Sequence, residues 1–305
     1  MKTLLSKKWG ISLIAIVYSA LWGFAYPMVK LTMESFAVTG DLDKCLIAGL
    51  RFALSGAALS LVATLAERRP LPTKKEAPTV LLYGLLGTSL QYAFTFIGLS
   101  RVSGAVGALF DQMSVFLVVL FGGLFLKDNR LTIRKVVGCI AGAVGVLAAS
   151  ALPTGFGFTL LGEGAMTLAA LCQAGAYLVA ARYAADIHPI RLVGNGQLVG
   201  GILLIGITLP LGAKIPVWSP RAVAFLLVIA AISALAYVLS LLPLRHFPAS
   251  EVAVYNLLIP IFGVVASGIL LGESVLELRY LISVVLISLG IYVVNTGGAR
   301  RGNDL

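Results

Sequence analysis

The sequence predicts an all-α integral membrane protein: ten transmembrane helices arranged as two inverted five-helix repeats. Three observations predict it. Of the 305 residues, 59% are hydrophobic and only 12% are charged, whereas a soluble domain is about half apolar and one quarter charged. The apolar residues gather in runs of about 18–22, the length that crosses a hydrocarbon core of ~30 Å. A gapless shift of 145 residues also lays one half of the chain over the other, with Tyr92 on Tyr237, Gly123 on Gly268 and Gly145 on Gly290.

Helices are expected near 10–30, 45–66, 77–98, 104–125 and 132–150, then near 162–182, 191–210, 221–243, 249–271 and 278–295. The first run is too long for a removable leader and lacks a small-residue cleavage site, so it reads as a retained helix. Its Pro27, like Pro260 in the ninth helix, removes one backbone donor and marks a kink or a hinge. The second and third helices are parted by Glu67–Pro72, the fourth and fifth by Lys127–Arg130, and the two halves by Leu152–Gly155. The fifth and seventh helices carry the GxxxG pairs Gly138/Gly142 and Gly196/Gly200, which indicate close helix contact within the chain or between chains, the latter as a homodimer. The 33 glycines would each cost about 1 kcal/mol in a soluble helix; in a bilayer they let backbones approach.

The repeat divides the chain at 1–150 and 151–305. Five helices per half is an odd number, so the second half enters the membrane the opposite way, an arrangement that supports alternating access around a midplane site. In this register Asp111 falls on Asn256, and the loop acid Asp128 falls on Glu273.

A net charge of +10 would suggest nucleic acid as a partner for a soluble protein. Here it is explained by short loops at the lipid bilayer: sixteen of the 23 Lys and Arg residues lie on the side of the N-terminus. The positive-inside rule then puts both termini in the cytoplasm, with the chain in the cell inner (plasma) membrane and no nucleic-acid partner. Cys45, Cys139 and Cys172 form no close pair, which argues against a disulfide or a metal site. The sequence holds no His-Glu-x-x-His and no phosphate-binding Gly-Lys-Ser/Thr loop, and His188 and His246 fall in turns. No cofactor and no catalysis are expected.

Ser19-Ala20-Leu21-Trp22-Gly23-Phe24, with Lys30 at the helix end, resembles the opening of the drug/metabolite transporter superfamily, EamA type. Leu50-Arg51-Phe52 and Leu270-Leu271-Gly272-Glu273 are similar to marks of the same family. Phe125-Leu126-Lys127-Asp128 departs from the pattern in the first half, and Val115 stands where a counterpart of Pro260 would. The resemblance spans essentially the whole chain. It implies secondary transport, with a central cavity lined mainly by helices one, three, four, six, eight and nine.

Asp111 is the sharpest candidate for substrate binding. It lies seven residues past its helix start, about 10 Å deep, where an ionised carboxylate costs roughly 2.5–3.5 kcal/mol. It should therefore face a cavity or a partner, to bind a cationic group or to take up a proton; its structural alternative is pairing with Gln112 or Gln91. Trp22, Tyr26, Tyr92 and Phe110 are placed to enclose a cation by cation–π attraction. Gln91, Gln173, Tyr177, Tyr237, Tyr255 and Asn256 must face the bundle interior, since lipid offers their polar groups no partner; about half of such groups serve as interhelical glue. Glu163 and Glu251 read as acids at helix starts. Phosphorylated substrates are disfavoured, because no Lys falls at mid-helix and the Arg residues cluster at helix ends. The expected function is secondary active transport of small metabolites such as amino acids or amine-bearing compounds, as exporter or exchanger. Alternatives are a cationic drug or quaternary amine exporter and, further off, an intramembrane enzyme or a channel.

Overall fold

The computed structural model describes residues 8–67, 72–125, 131–152, 155–183, 187–214, 217–241 and 254–296. Asp128, His246 and Glu251 lie outside the described residues. Ten helical segments follow one another: α1 Lys8–Ser35, α2 Asp41–Glu67, α3 Ala77–Leu99, α4 Gly104–Asp111 continued by Met113–Phe125, α5 Ile133–Ala148, α6 Leu160–Arg182, α7 Pro189–Thr208, α8 Pro220–Leu241, α9 Val254–Leu257 continued by Leu258–Leu271, and α10 Leu278–Thr296. Seven of them are long and apolar enough to cross a membrane by length and composition, and two more, Leu258–Leu271 and Leu278–Val294, are shorter apolar helices. Between α5 and α6 the chain forms a small antiparallel pair, β1 Ala151–Leu152 with β2 Gly155–Phe156.

Two boundaries differ from expectation in ways that matter for the site. The second helix begins at Asp41 rather than near 45, because Asp41 and Asp43 occupy its first turn, where negative side chains complement the helix dipole. The fourth is interrupted at Gln112 rather than continuous.

The packing follows the repeat. α2 lies along α7 and α5 along α10; α1 meets α8 and α9, while α6 meets α3 and α4; the first part of α4 meets α9. Exchanging each helix of the first half with the helix five positions later maps this set onto itself. The helix discontinuities obey the same register: the second part of α4 starts at Met113 and that of α9 at Leu258, the 145-residue offset of the sequence repeat. In α9 the interruption has a local cause, since Pro260 has no N–H to offer the carbonyl of Asn256.

Small residues set the helix spacing. A Cβ built on Gly138 would stand 2.9 Å from the Gly290 carbonyl oxygen, and one on Gly200 would stand 2.4 Å from that of Gly84. Both GxxxG pairs are thus used within the chain. The tightest backbone approach joins α2 to α7, where a Cβ on Gly56 would lie 2.2 Å from the Leu198 nitrogen. Gly206, further along α7, has nothing within 4 Å. Gly56→Ala is therefore expected to destabilise the detergent-solubilised protein by about 1–3 kcal/mol, the usual cost of overpacking, and Gly206→Ala to leave it unchanged or slightly more stable. Thermal unfolding of the two variants checks this; equal midpoints would contradict the packing.

Arg191 at the start of α7 pairs with Glu76 just before α3. Burial raises the Glu76 pKa, but hydrogen bonds from Thr73 and the Arg191 guanidinium outweigh it and hold the carboxyl below its ordinary value. At the start of α6, Glu163 accepts from the Thr159 backbone N–H and hydroxyl, both at 2.9 Å, so it is a capping residue.

Candidate functional site

The interruption of α4 builds the site. Gln112 N–H donates to the Leu109 carbonyl at 3.2 Å and Val115 N–H to that of Gln112 at 3.1 Å, tight three-residue bonds in place of the α pattern. The Ser114 hydroxyl donates to the Asp111 carbonyl at 2.8 Å, satisfying an acceptor that the broken ladder leaves over. Asp111 thereby becomes the last residue of a half-helix. The C-terminal end of a helix carries partial negative charge, so a carboxylate there adds to a negative potential and favours a cation or a proton. Tyr26 and Gln173 are polar side chains that line the same recess as Asp111. A close approach of α4 to α9 keeps this region compact: a Cβ on Gly263 would meet the Ala108 Cβ at 2.3 Å.

Asp111 stands where two cavities meet. The larger, about 420 Å³, is walled by Tyr18, Trp22, Tyr83, Gln112, Tyr237 and Asn256 among others, and reaches Ala180 and Ala181 in the last turn of α6, Pro189 at the start of α7 and Ser240 near the end of α8. It therefore runs from Asp111 to the end of the bundle where α6 and α8 finish and α7 starts. The smaller, a recess of about 50 Å³, lies among Tyr26, Val29, Arg51, Tyr92, Thr95 and Leu99. Trp22, Asp111, Gln173, Tyr177 and Ile259 line both. Aromatic rings give the walls shape: Trp22 meets Tyr237 edge to face at 4.8 Å between centroids, and Phe52 backs Tyr92 at 3.9 Å.

Of the eleven residues singled out in the sequence, eight come together here: Asp111, Trp22, Tyr26, Tyr92, Gln173, Tyr177, Tyr237 and Asn256. Three do not line either cavity. Phe110 is wholly buried in the main core, and Gln91 is buried too. Tyr255 braces α9 against α1: its hydroxyl bonds Ser12 Oγ, and its carbonyl accepts from Ser19 Oγ at 3.0 Å. Asn256 is itself oriented by the Tyr18 hydroxyl, which donates to Oδ1 at 3.0 Å. The six helices expected around the cavity all contribute, and so do α2, through Arg51, and α7, through Pro189, Leu192 and Val193.

Arg51 is the residue that sequence reasoning missed. Placed near a helix start, it reads as an interfacial charge; with α2 beginning at Asp41 it stands ten residues inside, 2% exposed. The generalisation that Arg residues cluster at helix ends is corrected accordingly, and with it the argument against phosphorylated substrates.

The other end of the bundle is tied by charged and polar contacts. Glu273, after α9, takes Lys30 Nζ at 3.2 Å and the backbone N–H groups of Gly104 and Ala105 at 2.8 and 3.2 Å. One carboxylate thus holds α1, α4 and the α9–α10 connection together, sitting on the positive end of α4. Lys30 also donates to the Val102 carbonyl at 2.9 Å, and Asp41 pairs with Arg101 at 2.8 Å and Lys44 at 3.1 Å. Among the described residues no group of three or more His, Cys, Asp or Glu is placed to hold a metal ion.

Two stretches of the chain, residues 8–151 and 160–296, match the model of the EamA-like transporter family. A protein of Archaeoglobus fulgidus described as an uncharacterized transporter is 26% identical over 291 residues, spanning 94% of this chain and 98% of its own. The uncharacterized transporter YvbV of Bacillus subtilis is 28% identical over 282 residues, spanning 90% and 88%. A solved crystal structure superposes with a TM-score of 0.65 over 94% of this chain and 96% of its own, at 22% identity, and so shares the fold.

Proposed function

Because the chain belongs to the EamA-like transporter family, we propose that it is a secondary active transporter of small amine-bearing metabolites, amino acids among them, working by alternating access as an exporter or exchanger. The observation that carries this reading is the cavity of about 420 Å³ around Asp111, which reaches one end of the bundle, while the Glu273 cluster fastens the other. Access from one side at a time is what a carrier needs and a channel lacks.

In this proposal residues 1–150 and 151–305 are the two repeats that rock against each other, with Asp111 and Asn256 at equivalent places. The protein sits in the cell inner (plasma) membrane with both termini cytoplasmic, so the cavity faces the cytoplasm and the Glu273 end faces out. Asp111 receives the ammonium group; Trp22, Tyr26, Tyr92, Tyr177 and Tyr237 supply the aromatic faces that attract a cation. The same walls suit a quaternary amine, which keeps a cationic drug exporter as the second reading. We assign the chain no catalytic role.

Counterflow in proteoliposomes tests the proposal. Vesicles preloaded with unlabelled leucine or phenylalanine are expected to take up the labelled compound transiently above equilibrium, with saturation. A flux that rises linearly with concentration and shows no counterflow would mark a channel and overturn the reading.

A further inference from the structure

We infer that Arg51 is the anion-binding pole of the transport site, taking the carboxylate of a zwitterionic α-amino acid whose ammonium group faces Asp111. The inference rests on the transporter reading above and narrows its substrate class.

Arg51 lies about 15 Å along α2 from Asp41 at 1.5 Å per residue, deep enough that an unpaired charge is costly. Its guanidinium, always protonated, offers five N–H donors. Two nitrogens are engaged by one neutral group: Nε and Nη2 donate to Ser233 Oγ at 3.0 and 2.8 Å. The cation also stands 4.6 Å from the Phe52 ring centroid and 5.5 Å from that of Tyr92. No carboxylate forms an ion pair with it among the described residues. Elsewhere the chain treats arginine differently: Arg101 pairs with Asp41, Arg191 with Glu76 and Arg279 with Glu277. Arg51 alone of these four has a hydroxyl where the others have an acid.

The recess explains what takes the acid's place. Arg51 and Asp111 both line its volume of about 50 Å³, room for a small planar head group, and it shares walls with the larger cavity that would hold the rest of a ligand. A cation and an anion lining one small recess match a molecule carrying a carboxylate and an ammonium on one carbon. Ser233 and the two aromatic rings act as positioning groups that hold the guanidinium fork in place for a bidentate carboxylate.

Binding to purified protein by thermal shift and by displacement of labelled phenylalanine tests this. The probes are phenylalanine, its amine-only analogue phenethylamine and its carboxylate-only analogue 3-phenylpropionate, with leucine, 3-methylbutylamine and 4-methylpentanoate as a second set. Wild type is expected to bind each amino acid more tightly than either of its single-pole analogues. Arg51→Gln should weaken amino acids and carboxylates by about tenfold to a hundredfold, the range for a lost charge-assisted pair, and leave the amines unchanged. Arg51→Lys should restore part of the loss, and Ser233→Ala should give a smaller loss of the same selectivity. If Arg51→Gln and Ser233→Ala both lower the unfolding temperature while the ratio of amino acid to amine affinity stays that of wild type, Arg51 is a structural residue and the inference fails, with the transporter reading intact. If phosphoethanolamine displaces the label better than any amino acid, the pole is a phosphate site and the carboxylate assignment is overturned. If none of the six probes binds wild type, the amine-transport reading fails as well.

Discussion

Asp111→Asn is expected to weaken binding of amine-bearing ligands by about tenfold to a hundredfold and to leave carboxylate-only ligands nearly unaffected. Hydrogen bonds to a charged group contribute about 1.5–3 kcal/mol, and the amide removes the charge while keeping the shape. Folding should tolerate the change: Tyr26 and Gln173, which line the same recess, can serve an amide as well as an acid, and Asn256 already stands at the related sequence position in the other half. The same variant separates two roles. If Asp111 carries a proton, binding survives, exchange survives, and accumulation driven by a pH gradient is abolished. Binding and gradient-driven uptake are measured side by side in liposomes; if both match wild type, Asp111 is a packing residue and the site assignment fails.

Glu273→Gln is expected to shift the protein toward a state open at the Glu273 end by about fivefold to thirtyfold, corresponding to roughly 1–2 kcal/mol for the loss of a partly exposed charge-assisted cluster. Glu273 joins Lys30 to the first two N–H groups of α4, so its charge counts both against the lysine and against the helix dipole. Glutamine keeps one acceptor and loses both electrostatic contributions. A Val29→Cys reporter in the recess, in a Cys172→Ser background, reads the effect, since Cys45 and Cys139 are buried while Cys172 is partly exposed. An impermeant maleimide added from the Glu273 side should label the reporter faster in the variant. Lys30→Met should have a similar effect, and combining the two should add little beyond either. An unchanged labelling rate would dismiss the cluster as a gate.

The residues that the sequence placed correctly, and those it did not, differ for a geometric reason. Gln91, Phe110 and Tyr255 stand immediately before Tyr92, Asp111 and Asn256, which do line the cavities. Successive residues on a helix diverge by about 100°, so a side chain next to a site residue points elsewhere, and composition alone does not say which neighbour faces inward. Helix number was legible because hydropathy is a property of twenty residues at once. The interruption at Gln112 was not, since no proline or glycine marks it; only the matching start points Met113 and Leu258 reveal it. Arg51 was hidden by a four-residue error at a helix start. Asp41 and Asp43, just before the expected start, were the available signal, because acids in a first turn mark an N-terminus.

The opposite charges of Arg51 and Asp111 on one recess have an electrical consequence. Together they sum to zero, and a zwitterion seated between them adds nothing. On the amino acid reading, neither the loaded nor the empty carrier then moves net charge at this site as access alternates. A monocation carried across the full field would instead exchange about 2.3 kcal/mol with every 100 mV of membrane potential. Unless a proton travels with the substrate, the voltage does no work on this carrier, and its direction follows the concentrations of its substrates on the two sides.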